Sequence, residues 1–180
     1  MNSDEYRNLI DRAIRDGSGE PILNGSHAHA TVIVERMFAH AKETMRILTR
    51  KFDPRIYGTT DTVEQAKLFL GDPNRKCKIL IEQISPEALD THPFMEEMSP
   101  FLASGNLQIC QVPKFARELI NVNFAVMDER GFRFEEDKTE AVALAVFGGA
   151  GSKLTTSLRV LYDKIWTLSE SHPLPQRDMA

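Results

Sequence analysis

The sequence predicts a single α/β domain, with a mixed, mostly β-sheet core and helices on both faces. Three observations carry that prediction. Helix-period and strand-like segments alternate through the first hundred or so residues. Strands then cluster toward the C-terminal half. Residues 141–147 form a continuous apolar run, as a strand buried on both faces does. The chain has 180 residues, a length that fits one domain and buries enough core to need no disulfide or metal staple.

The elements follow in order. Ser3 reads as the cap of a first helix, with Asp4 and Glu5 favourable in its opening turn. Tyr6, Leu9, Ile10, Ala13 and Ile14 form its apolar stripe. Residues 20–25 read as loop, with Pro21 and Asn24-Gly25 as turn residues. Ser26 precedes a second helix that runs to about Ala41, and residues 44–49 form a strand. Asp61 and Glu64 make a capping-box pattern for a helix over 62–70. Residues 77–82 form a short apolar strand. Ser85-Pro86 opens a helical segment with proline at its first position. His92-Pro93 interrupts it, and helix resumes over 94–103. Residues 107–112 and 122–127 are strands. The turn at 128–131 leads into Phe132-Arg133-Phe134, so this region reads as a hairpin. A last helix spans 153–169, with Leu154, Leu158, Leu161, Tyr162, Ile165 and Trp166 as its core face. The expected division is an N-terminal helix and loop over 1–25, the main domain over 26–170 and a flexible tail over 171–180.

Composition excludes several classes. The net charge is −4, which gives no general reason to attract nucleic acid or an anionic membrane. No apolar run reaches the ~20 residues of a membrane span, and residues 1–15 are too charged for a signal peptide. Cys77 and Cys110 sit in apolar runs, as buried reduced thiols do. These features predict a cytoplasmic protein with no membrane partner.

A few residues stand out chemically. Gly148-Gly149-Ala150-Gly151-Ser152-Lys153 joins a strand to a helix. It lacks the Walker spacing, so a flexible connection is the simpler reading. His27 and His29 fall at a helix start, where residues two apart diverge. Surface or interface histidines are therefore the default reading, with a capping or ligand-lining role for one of them next and a shared metal last. Arg46, Arg50, Lys51 and Arg55 lie close in sequence. They read either as a solvated strand edge or as a basic strip for nucleic acid. Glu135-Glu136-Asp137 reads as a solvated turn, with a pocket-facing role as the alternative.

The order of elements, the Lys78-Ile79-Leu80-Ile81 strand and the segment from Asn121 to Asp128 together resemble one half of the phospholipase D superfamily. That family carries His-x-Lys-x4-Asp on the corresponding strand. The matching positions here are Asn121, Asn123 and Asp128. The resemblance implies a phospholipase D-like fold close to that of small bacterial proteins with a single such unit. Single units of this kind pair as two-fold dimers. The departures matter for chemistry. The family's His is a nucleophile and its Lys neutralises phosphate charge. An asparagine amide does neither. With Phe134, Glu135, Glu136 and Asp137 following, the site is expected to be neutral or acidic, which disfavours phosphodiesters.

The expected function is therefore a non-catalytic binding or regulatory module, a homodimer with a pocket near the degenerate motif. Asn121, Asn123, Asp128, Arg133, Glu135, His27 and His29 are the candidate ligand-binding residues. A polar small ligand or a protein partner is the expected occupant, with no cofactor and no bound metal. One alternative is a metal-dependent phosphodiesterase or nuclease using Asp128, the carboxylates at 135–137 and a histidine. The other is a nucleic-acid binder without catalysis, the less favoured reading given the overall charge.

Overall fold

The computed structural model describes residues 2–136, 143–148, 152–172 and 174. Asp137, the start of the apolar run at 141–142, Gly149 to Gly151 of the glycine-rich connection and most of the expected tail lie outside the described residues. The elements are α1 (Ser3–Asp16), β1 (Ile22–Asn24), α2 (His27–His40), β2 (Thr44–Thr49), α3 (Pro54–Tyr57), α4 (Thr60–Leu70) and β3 (Lys76–Ile81). They continue with α5 (Pro86–Asp90), α6 (Pro93–Ser104), β4 (Leu107–Gln111), α7 (Lys114–Arg117), β5 (Asn123–Met127), β6 (Gly131–Glu135), β7 (Ala143–Phe147) and α8 (Lys153–Ser169).

The strands form one mixed sheet in the order β1-β7-β6-β5-β2-β3-β4. β2, β3 and β4 run parallel, with helical crossovers between them. β5 joins β2 antiparallel, and β5, β6, β7 and β1 continue as antiparallel neighbours. The expected hairpin is present, with Met127 opposite Gly131 and Asn123 opposite Glu135.

Two apolar cores flank the sheet, so helices do cover both faces. On the first face Ile10, Ile33, Met37 and Phe69 from the helices meet Ile47, Ile79, Ala125 and Ala145 from the strands. On the second, Leu158, Tyr162, Ile165 and Trp166 of α8 meet Leu48, Leu80, Phe124 and Phe132. Residue alternation along each strand sends neighbours to opposite cores. Cys77 belongs to the first core and Cys110 to the second. Both are buried free thiols, as their setting predicts.

Several expectations need correction. Asn2, not Ser3, caps α1. Its side chain accepts the Glu5 N–H at 2.9 Å, and Glu5 returns the favour to the Asn2 N–H at 2.9 Å. Only Asn2 has a carboxylate three residues on to complete that reciprocal pair. For the helix expected over 62–70, Thr59 is the cap, accepting from the Thr62 N–H. Helix therefore starts two residues early and Asp61 sits inside its first turn. The expected loop at 20–25 contains β1, because β7 offers an edge that Ile22, Leu23 and Asn24 can pair with. That partner is remote in sequence and leaves no local signal. Finally, Leu154 and Leu161 of α8 stay 51% and 40% exposed. The helix lies over β5, β2 and β4, so its apolar stripe is wider than the surface it covers.

Candidate functional site

A cavity of about 370 Å³ opens where β2 ends and β5 begins. Chain ends at the carboxyl edge of parallel strands are the usual place for a ligand site in an α/β sheet. Its deep part is set by strand register. Asn123 and Glu135 are directly opposed, and Arg133 stands opposite both Ala125 and Ala145. Those two alanines leave room on the first face for a long side chain that would otherwise collide with a neighbour.

Arg133 is 3% exposed and donates to Glu135 at 3.0 Å. An ion pair this enclosed survives only when each charge has its partner, since an orphaned buried charge costs several kcal/mol. Tyr6 and Tyr57 lie close enough to feel the Arg133 charge. Burial pushes both phenols up to about 12, with Arg133 acting in the opposite direction. Both therefore stay protonated at neutral pH.

The cavity mouth comes from the segment after β2. Arg50, Lys51, Asp53, Arg55 and Tyr57 all line it, and His27 joins from the start of α2. Two features hold this segment. The Asn123 side-chain oxygen accepts the Arg50 N–H at 2.9 Å. Phe52 is fully buried with φ +50°, an uncommon conformation for a bulky residue. Its ring lies between Tyr57 and His92, at centroid distances of 4.5 and 4.7 Å. The His92 Nε2 meets the Phe52 carbonyl at 2.9 Å, while Nδ1 accepts the Phe94 N–H. That pattern assigns a neutral imidazole protonated on Nε2. Burial lowers its pKa, and the Phe52 carbonyl and Asp53 charge act the other way.

Asp53 begins α3, accepting the Arg55 N–H and pairing with its guanidinium at 2.6 Å. The Arg55 hydrogen bond holds the Asp53 carboxyl below the usual carboxylate range. His27 stands 3.8 Å from the same carboxylate.

The structure gathers Asn123, Arg133, Glu135 and His27 at this cavity, and it separates the other candidates. Asn121 lines an adjoining cavity that shares Arg50 with the first. His29 turns away from His27 and stacks on Tyr6 at 3.9 Å. Asp128 ends the opposite end of β5, about 16 Å of extended chain from Asn123. Its carboxylate accepts the N–H groups of Lys42, Glu43 and Thr44 at 2.8–2.9 Å. It therefore does not join Glu135 and a histidine in a metal set. Among the described residues no group of three His, Cys, Asp or Glu side chains is placed to hold a metal.

The expectation of a neutral or acidic site is also corrected. Arg50, Lys51, Arg55 and Arg133 outnumber Asp53 and Glu135 around the cavity. Arg46, grouped with them in sequence, instead pairs with Asp163 of α8. Arg50, Lys51 and Arg55 stand out in the sequence as a basic run; the missed contributors Thr49, Asp53 and Tyr57 have one local signal. Asp53-Pro54 directly after a strand marks a helix start, and so a turn of the chain back over the strand end.

No helix among the described residues is long and apolar enough to cross a membrane. No curated protein sequence matches the chain, but its fold matches solved structures. TrmBL2, an archaeal chromatin protein whose structure shows a mode of DNA binding, superposes with a TM-score of 0.61 at 13% identity. That match covers 92% of this chain and 59% of TrmBL2, so the chain spans less than two thirds of that protein. NucT from Helicobacter pylori matches with a TM-score of 0.54 at 13% identity, over 83% of this chain and 97% of NucT. The phosphatidylserine synthase of Haemophilus influenzae Rd KW20 gives 0.56 at 13% identity, over 83% and 39% of the two chains. NucT and the synthase are phospholipase D-like proteins, so the fold resemblance holds. At this identity the likeness extends to the fold alone. A family model covers residues 26–176, and on that match the chain belongs to the family defined by a domain of unknown function, DUF7931.

Proposed function

We propose that this chain is a non-catalytic binding module that takes a small anionic ligand, of phosphate type, in the cavity between β2 and β5. The observation that carries the reading is the excess of cations there. Arg55 and Arg133 are already paired with Asp53 and Glu135, which leaves Arg50 and Lys51 at the mouth as the surplus charge. Asn123, at the position matching the Lys of the phospholipase D motif, supplies a polar contact there without a charge, and Asn121, at the position of that motif's His, lines the adjoining cavity. A homodimer is part of the proposal. The uncovered part of the second face supports it, with Leu23 at 74% exposure beside partly exposed Leu144 and Phe134.

Titration calorimetry with inorganic phosphate and adenosine 5′-monophosphate tests the reading. Wild-type protein binds both, and Arg50→Gln with Lys51→Gln weakens binding by tenfold or more, about what one or two charge-assisted hydrogen bonds contribute. Absence of saturable binding refutes it. A chromogenic phosphodiester runs alongside, with and without divalent metal, and turnover that depends on His27 refutes the non-catalytic part. A second reading, nucleic-acid binding without catalysis, draws on exposed Lys51, Arg55 and Phe115 along the same end of the sheet. Oligonucleotide binding that falls steeply with salt favours it.

A further inference from the structure

Beside the first cavity lies a second of about 370 Å³, bordered by Arg50, Gln83, Lys114, Arg117 and Asn121. The two share Arg50. Resting on the anion-binding reading above, we infer that they form one bipartite groove, which takes a small molecule carrying two phosphoryl groups separated by a sugar-sized spacer.

The spacing follows from the chain. Ile120, Val122 and Phe124 all turn toward the second core. Asn121 lies just before β5, whose first residue is Asn123. Asn123 serves the first cavity and Asn121 the second. Asn121 and Asn123 are two residues apart, so their Cα atoms lie at most about 7 Å from each other, and that sets the scale of the distance between the two anion positions. Pyrophosphate is too short for that span, because its two phosphorus atoms share one bridging oxygen. Arg50 sits between the positions, and the Asn123 side chain fixes its backbone N–H at 2.9 Å. The ridge between subsites is thus held in place before any ligand arrives, which lowers the ordering cost of binding.

The second position is the weaker of the two. Lys114 and Arg117 supply its charge, and Arg117 already spends Nε on the Val112 carbonyl at 2.6 Å. Glu82 and Glu118 also line it. A second phosphoryl group therefore adds to an anchor formed in the first cavity and does not replace it.

Titration calorimetry of the full chain compares adenosine 3′,5′-bisphosphate with adenosine 5′-monophosphate, which differ by one phosphoryl group. Fructose 1,6-bisphosphate and pyrophosphate run beside them, to separate phosphoryl spacing from base recognition. The bisphosphate binds about tenfold or more tighter than the monophosphate, the increment expected of one added charged contact. Lys114→Gln and Asn121→Asp, both at exposed positions, each pull that ratio toward one and leave monophosphate affinity unchanged. Pyrophosphate gains nothing over inorganic phosphate. Monophosphate binding through Arg50 and Lys51 with no gain for either bisphosphate overturns this inference and leaves the proposed function standing. So does a gain that neither substitution moves. Loss of all binding overturns both.

Discussion

Asp128 offers the sharpest test of what the segment from Asn121 to Asp128 does. Its φ is +52° and its own N–H donates to the Thr44 carbonyl at 2.9 Å. Its carboxylate collects three backbone N–H groups from the segment entering β2. Asparagine tolerates the same left-handed backbone, so Asp128→Asn isolates the carboxylate. The amide keeps one acceptor oxygen for Glu43 and Thr44 but turns a donor toward the Lys42 N–H. One charge-assisted bond is lost, and two fall from the charged to the neutral range. Lys42 and Glu43 are exposed, so water takes up part of the deficit. The net cost is then about 2–3 kcal/mol, or a fall in Tm of about 5–10 °C for a domain of this size. Urea unfolding followed by circular dichroism measures it, with phosphate affinity determined on the same protein. A loss under about 1 kcal/mol, or a changed affinity at unchanged stability, refutes the assignment of Asp128 to the scaffold.

Two further outcomes follow from burial. His92 has a depressed pKa when folded, so the folded state resists a proton that the unfolded chain accepts near its ordinary value of about 6.5. Stability is intact above that value and falls as pH drops below it, by up to about 1.4 kcal/mol per pH unit until the lower folded pKa is reached. Unfolding midpoints at pH 7.5 and 5.5 for wild type and His92→Gln check this, and an equal pH dependence in the two proteins contradicts it. At Gly131 an added methyl would run into the Phe147 ring and the Val146 carbonyl. Gly131→Ala therefore destabilises the protein by about 1–3 kcal/mol through overpacking, and an unchanged thermal midpoint would show that β7 yields freely.

The parts of the fold that the sequence discloses are those written in local pattern. β2, β3, β4 and the β5–β6 hairpin are visible as apolar alternation punctuated by turn residues. β1 is not, because three residues between Pro21 and Gly25 pair only with a strand far along the chain. The site divides in the same way. The motif alignment finds Asn123, and the hairpin register brings Glu135 and Arg133 with it. The cationic mouth is legible only as a basic run, because Arg46, Arg50, Lys51 and Arg55 look alike in a linear reading. Strand alternation aims Arg46 at α8, and only the reversal at Phe52 and Asp53 folds the other three over the end of β5. Asp128, a candidate binding residue by sequence, serves the backbone, a role that residue type and spacing do not distinguish from binding.

The pairing of β1 with β7 also bears on the order in which the molecule is made. Ile22 lies opposite Ala145, so β1 leaves the ribosome long before the strand it pairs with. A segment of three residues holds no structure alone. It stays open until β5, β6 and β7 have been synthesised and have assembled. During that interval Leu23 and the apolar face of α1 are available to any passing chain, and the nascent protein is at its most vulnerable to wrong pairings while the edge it needs does not yet exist.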